Sequence, residues 1–163
     1  MAEHGCLLVV DLQRQTLVLL RAGRTCARYR VSTSRLGAGE REASHKTPRG
    51  WHRVVRWIGS GQPAGRVFVS RHATGRVLTA AARRAGGDTD LIVTRILRLR
   101  GLEKGRNAGP GVDSYARYIY IHGTNQEHLL GRPASGGCIR MASRDVIDLF
   151  RRTRGRPTFC WIG

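Results

Sequence analysis

The sequence predicts a mainly β domain with one or two short helices, formed by residues 1–163 as a single unit. Three observations predict it. The N-terminal half is a series of short apolar or alternating runs separated by polar turn residues. Two later runs, LIVTRILRL and RYIYIH, are rich in β-branched and aromatic residues. Only two segments carry a helical pattern, and 163 residues fit one domain able to bury most of its apolar surface.

In chain order, Leu7 to Asp11, Thr16 to Arg21 and Cys26 to Ser32 read as three strands of an antiparallel meander. Gly37 to Pro48 is a long polar loop. Trp51 to Ile58 resumes an apolar strand pattern, which glycines and a proline break over Gly59 to Gly65. The alanines and arginines of Thr79 to Ala85 favour a short helix. Leu91 to Leu99 reads as a strand, although its spacing also permits a helix. Arg117 to His122 is a strand whose last residue reaches a surface edge. Ser143 is placed to cap a helix through Arg152, with Asp145 near its positive end and Val146, Ile147, Leu149 and Phe150 on one stripe. Thr158 to Ile162 forms a final strand, and no internal repeat is evident.

The hydrophobic content of 40% and charged content of 25% are ordinary for a folded protein. The net charge of +18 raises nucleic acid as a partner, because clustered basic residues neutralise phosphates. Lysine occurs only as Lys46 and Lys104, so arginine supplies 27 of the 29 basic residues. These arginines are spread along the chain, and Arg14, Arg21, Arg24, Arg28 and Arg30 read as solvated outward positions. An acidic peptide or a phosphate-bearing precursor would complement such a surface as well as DNA would.

The opening Met1 to Val10 lacks a basic region followed by an apolar stretch and cleavage site, and no apolar run is long enough to span a bilayer. Taken as the native start, this places the protein in the cytoplasm; a chain that had lost a signal peptide would be periplasmic. Cys6, Cys26, Cys138 and Cys160 lack CxxC spacing, so reduced thiols are expected rather than a zinc site or a disulfide framework. Cys6, Cys26 and Cys160 fall in apparent strands and read as small core hydrophobes. No metal and no organic cofactor is expected, since His128 and His122 with Cys138 match no usual ligand spacing.

A thiol nucleophile needs a base and a place for the oxyanion. His122 stands sixteen positions before Cys138, and the loop between them can fold back to bring imidazole to sulfur. Gly136 and Gly137 give the backbone the freedom to aim N–H groups into one space. On spacing alone, an inert packed cysteine and a satisfied polar histidine explain these residues as well.

Tyr118 to Met141 (YIYIHGTNQEHLLGRPASGGCIRM) resembles the catalytic region of the L,D-transpeptidase catalytic-domain family. His122 and Gly123 match its His-Gly pair; Ser135, Gly137, Cys138 and Arg140 match its Ser/Thr-His-Gly-Cys stretch and the residue pattern that follows. Thr47, Pro48 and Gly50 resemble its Thr-Pro-x-Gly turn, and Gly111 to Tyr115 (GVDSY) is also similar. Gly136 departs from the histidine usual there. The resemblance implies a single β-sandwich or barrel in which His122 deprotonates Cys138. The thiolate then attacks the carbonyl at the L-centre of a diamino acid in a peptidoglycan stem tetrapeptide, D-alanine leaves, and a thioester remains. Backbone N–H groups of Gly137 and Cys138 would hold the oxyanion. Arg140 would hold a substrate carboxylate, or else brace its loop by a salt bridge. Ser135 would orient the loop or touch substrate, a plain turn role being equally open, and Gly136, Gly123 and Tyr120 are further substrate-binding candidates. An amine acceptor makes this a transpeptidase, water an L,D-carboxypeptidase; a cytoplasmic chain fits wall recycling and hydrolysis. The expected partner is a stem peptide or muropeptide, and the expected state monomeric. The rival expectation is a basic module for nucleic acid or anionic wall polymer with a decayed cysteine site. His45 and His52 flank the Thr-Pro-x-Gly turn and read as exposed loop polarity.

Overall fold

The computed structural model describes residues 5–163; the reading of Met1 to Val10 lies partly outside the described residues. Ten strands form one sheet: β1 (Cys6–Asp11), β2 (Thr16–Arg21), β3 (Arg24–Ser32), β4 (Gly50–Ile58), β5 (Arg66–Val69), β6 (His72–Val77), β7 (Ile92–Gly101), β8 (Tyr120–Thr124), β9 (Ile139–Met141) and β10 (Thr158–Ile162). Two helices, α1 (Ala80–Ala85) and α2 (Ser143–Thr153), complete it. The mainly β expectation holds.

The sheet order is β4-β10-β1-β2-β3-β9-β8-β7-β5-β6, and β4 also pairs with β7. That extra pairing, from His52 opposite Gly101 to Ile58 opposite Ile96, closes eight strands into a ring and leaves β5 and β6 as a hairpin on its margin. The architecture is therefore a closed barrel, which removes most exposed sheet edges. The β1-β2-β3 meander is antiparallel as expected. Two parallel pairs, β1 with β10 and β8 with β9, join segments distant in sequence.

Alternation along the strands puts Leu8, Val10, Leu17, Leu19, Val31, Leu97, Leu99, Ile121, Ile139 and Met141 on the core face, where Val146, Leu149 and Phe150 of α2 join them. Burial of this face is the main stabilising contribution, on the order of 1.5–3 kcal/mol per large side chain. A smaller cluster of Phe68, Ile96 and Tyr120 forms on the opposite face, with Cys138 packed against it.

Several expectations need correction. β8 begins at Tyr120 and continues to Thr124, so His122 lies in mid-strand and is buried, not at an exposed edge. Ser143 is the first helical residue; Ala142 precedes it and offers no capping side chain, and Glu127 Oε1 accepts from the Ser143 N–H at 2.9 Å instead. The Ser143 hydroxyl instead hydrogen-bonds Thr94 Oγ1 at 2.7 Å. Ile147 is only half-buried. Cys26 is exposed, because β3 turns that residue outward, whereas Cys6 and Cys160 are core. His52 is fully buried rather than exposed. Strands β5 and β6 were not expected, since HATGRV is almost wholly exposed and lacks apolar alternation.

Candidate active site

Strand register builds the site. Ile121 pairs with Ile139 and His122 with Arg140, so on the face opposite the core Cys138 lies one step before Arg140, beside Tyr120. Arg98 of β7 pairs with Tyr120, and Ile96 with His122. Two rows result across neighbouring strands, Arg98-Tyr120-Cys138 and Ile96-His122-Arg140. His122 and Cys138 are diagonal neighbours on adjacent parallel strands. Strand register, which the sequence reading did not use, therefore sets His122 and Cys138 diagonally on one face.

The thiol is half-buried. It accepts from the Tyr120 N–H at 3.4 Å and donates to the Tyr118 carbonyl at 3.4 Å, so one strand entry clasps the sulfur from two sides. Enclosure pushes its pKa up to about 11, against the lowering influence of the Tyr120 N–H, Arg117 and Arg140. His122 is held below the ordinary histidine range, chiefly by burial, which outweighs its bond to Gly123 and the nearby Asp90. Its Nδ1 lies 2.8 Å from the Gly123 carbonyl, which can only accept. Nδ1 therefore carries the proton in the neutral ring, and Nε2 is the basic nitrogen. No hydrogen bond joins the ring to the thiol among the described residues. Burial disfavours the charged form of both.

The loop before the cysteine is tied at several points. Ser135 Oγ accepts from Gly137 N–H at 3.2 Å and donates to the Cys138 carbonyl at 2.6 Å, closing the turn. Gly137 has φ +129°, and a Cβ there would approach Lys46 O at 3.3 Å, so only glycine suits the position. Thr47 of the Thr-Pro-x-Gly turn donates to the Gly137 carbonyl at 2.9 Å and accepts from the Ser34 N–H at 3.0 Å. That turn is thus a brace for the cysteine loop. The Gly137 N–H is spent on Ser135, whereas the Cys138 N–H has no hydrogen-bond partner among the described residues. Gly136 is exposed, and nothing lies within 4 Å of a Cβ built on it.

Arg140 has no exposed surface. Its guanidinium pairs with Asp90 at 3.1 Å, donates to Gln126 Oε1 at 2.7 Å and to Ser32 Oγ at 3.1 Å. Of its two possible roles, the observed contacts are those of the brace. Gly123 is buried, and a Cβ there would collide with the Val93 carbonyl and crowd Val146, so it permits close packing of β7 and α2. Tyr120 is buried, its hydroxyl accepting from Arg71 Nη1 at 3.1 Å. His128 packs against Gly86, away from Cys138, and His45 is exposed near Gly137.

Sequence reasoning missed Asp90, Arg117 and Arg71. Arg117 reaches the carbonyls of Gly39, Glu40 and Lys46 and the Ser44 hydroxyl, fixing the 37–48 loop beside the cysteine. Nothing in its sequence context distinguished it from the other arginines. The GVDSY segment holds β4 in place, because Ser114 Oγ meets the Nε2 of buried His52 at 2.9 Å, while Nδ1 of that ring faces Gly50 O at 3.0 Å. Burial depresses His52 to about 4. Among the described residues, no group of three or more His, Cys, Asp or Glu is placed to hold a metal ion, and no helix is long and apolar enough to cross a membrane.

Residues 7–159 match the model of the L,D-transpeptidase catalytic domain. The chain belongs to that family. Solved structures agree on the fold. An L,D-transpeptidase from Mycobacterium smegmatis superposes with TM-score 0.56 at 13% identity, covering 98% of this chain and 59% of that one. L,D-transpeptidase 3 from Mycobacterium tuberculosis, in complex with a faropenem-derived adduct, gives 0.57 at 13%, covering 97% and 60%. The helical cell shape determining protein Pgp2 from Campylobacter jejuni gives 0.55 at 15%, covering 99% and 47%. The chain spans about three fifths of the length of the first of these structures. A search of curated proteins finds no match.

Proposed function

We propose that this chain is a cysteine acyltransferase of peptidoglycan stem tetrapeptides, with Cys138 as nucleophile and His122 as base. The observation that carries the reading is the register of β8 and β9, which sets a thiol and a neutral imidazole with a free Nε2 diagonally on one face, inside a chain of the L,D-transpeptidase catalytic-domain family. His122 Nε2 takes the thiol proton as Cys138 Sγ bonds to the carbonyl carbon at the L-centre of the third stem residue. The Cys138 N–H faces the developing oxyanion, a contribution of roughly 3 kcal/mol for one donor. The imidazolium returns its proton to the departing nitrogen, D-alanine leaves, and the thioester passes to water or to an amine of a second stem.

A thiol near pKa 11 and a histidine below its ordinary range favour this order of events, in which proton transfer accompanies attack rather than preceding it. The test is incubation with a disaccharide tetrapeptide containing meso-diaminopimelate, with and without an acceptor stem, followed by mass spectrometry. Loss of one D-alanine or a 3,3-linked dimer, each abolished in Cys138→Ala and reduced at least about 100-fold in His122→Ala, supports the reading. Products that persist in Cys138→Ala would overturn it. Uniform, salt-sensitive binding of polyanions unaffected by Cys138→Ala, with no product, would favour a basic binding module.

A further inference from the structure

Four arginines act on the thiol or touch the tyrosines that clasp it, and three of them are spent. Arg140 is fully buried against Asp90, Gln126 and Ser32. Arg117 directs both terminal nitrogens at loop acceptors. Arg98 is buried, with its guanidinium 3.5 Å from the Tyr115 ring centroid and Nη2 on the Tyr115 carbonyl. Arg71 is different. It is half-exposed, it has no carboxylate partner among the described residues, and its single hydrogen bond leaves the remaining donors open.

Arg71 is nevertheless held in place. Nη1 donates to the Tyr120 hydroxyl at 3.1 Å, and its guanidinium carbon lies 5.1 Å from the Tyr118 ring centroid, within cation–π range. Tyr118 and Tyr120 are the two residues whose backbone atoms clasp the Cys138 sulfur. The turn that carries Arg71 is strained. Val69 pairs with His72, so Ser70 and Arg71 are a two-residue hairpin loop, and their φ values are +47° and +71°. Such a loop prefers Asn-Gly, and a long side chain in the left-handed region costs on the order of 1 kcal/mol. The hairpin tolerates this strain at the position whose guanidinium is anchored on the two tyrosines that clasp the sulfur.

Resting on the acyltransferase reading, we infer that Arg71 recognises the free C-terminal carboxylate of the stem tetrapeptide, making the site selective for a terminal D-amino acid whose carboxylate is unblocked. That carboxylate lies one residue beyond the scissile carbonyl, so its partner has to stand close to the nucleophile, and Arg71 is anchored on the two residues that clasp it. A planar fork with open donors suits it.

The experiment compares the free tetrapeptide with its C-terminal amide, by calorimetric binding to Cys138→Ala, which needs no turnover. The parent binds the acid about tenfold or more tightly than the amide. Ser70→Asn/Arg71→Gly in the same background supplies the preferred turn sequence, so thermal melting confirms an intact or stabilised hairpin, while the acid binds no better than the amide. A preference that survives this double substitution overturns the inference, as does its absence in the parent or failure of the parent to bind either peptide. Binding with the expected preference but no D-alanine release by the wild type supports the role of Arg71 and refutes the acyltransferase reading.

Discussion

At Cys138 two influences oppose each other: enclosure disfavours the thiolate, while the Tyr120 N–H and the nearby arginines favour it. Enclosure wins, and the thiol is favoured over the thiolate at pH 7. Iodoacetamide alkylation of Cys138 therefore accelerates with pH and reaches no plateau by about pH 9.5; a plateau below about pH 8 would reveal a resting thiolate–imidazolium pair instead. The two glycines before Cys138 make opposite predictions. Gly137→Ala forces a side chain into φ +129° and costs about 1–3 kcal/mol, with turnover falling as the Ser135–Cys138 turn shifts. Gly136→His meets open space without a left-handed φ, and changes stability by less than about 0.5 kcal/mol. Thermal melts of both variants, with turnover alongside, decide whether Gly136 is merely a missing side chain.

Among the elements, β4 carries a pH-dependent tie to the 111–115 segment through His52. His52 is neutral in the fold, with a pKa near 4 set by burial, and returns to about 6.5 on unfolding. The unfolded chain binds the extra proton, so the contribution of His52 is complete above about pH 6.5 and declines as pH falls toward 4. By about pH 4.5 this amounts to about 2–3 kcal/mol of lost stability. Urea unfolding at about pH 7 and 4.5 should show His52→Gln losing less stability than wild type between those values; equal losses would place the acid sensitivity elsewhere. Strands with a buried face were readable in the sequence. The alternation of β1 and β2 and the β-branched run of β7 need only local information. The β5–β6 hairpin was not readable, because its exposed residues obey no burial pattern, and β9 is three residues long.

For the whole molecule, closure was the hidden property. The parallel pairs β1–β10 and β8–β9, and the β4–β7 seam, join distant segments that no local periodicity relates. The same limit governs the site. Cys138 and His122 were recognisable from their motif, whereas Asp90, Arg117 and Arg71 gain their positions only when the sheet forms. Charge was a weaker signal than its count suggests, since Arg98, Arg117 and Arg140 are consumed as internal braces. The fold sets one thiol diagonal to one imidazole, and the direct test of the acyl transfer proposed for them is the covalent intermediate. Mixing the protein with tetrapeptide, quenching in acid within seconds and weighing the intact chain should reveal the mass of a stem tripeptide acyl group on Cys138, removable by hydroxylamine. D-alanine release without any adduct, or an adduct that persists in Cys138→Ala, would contradict the account.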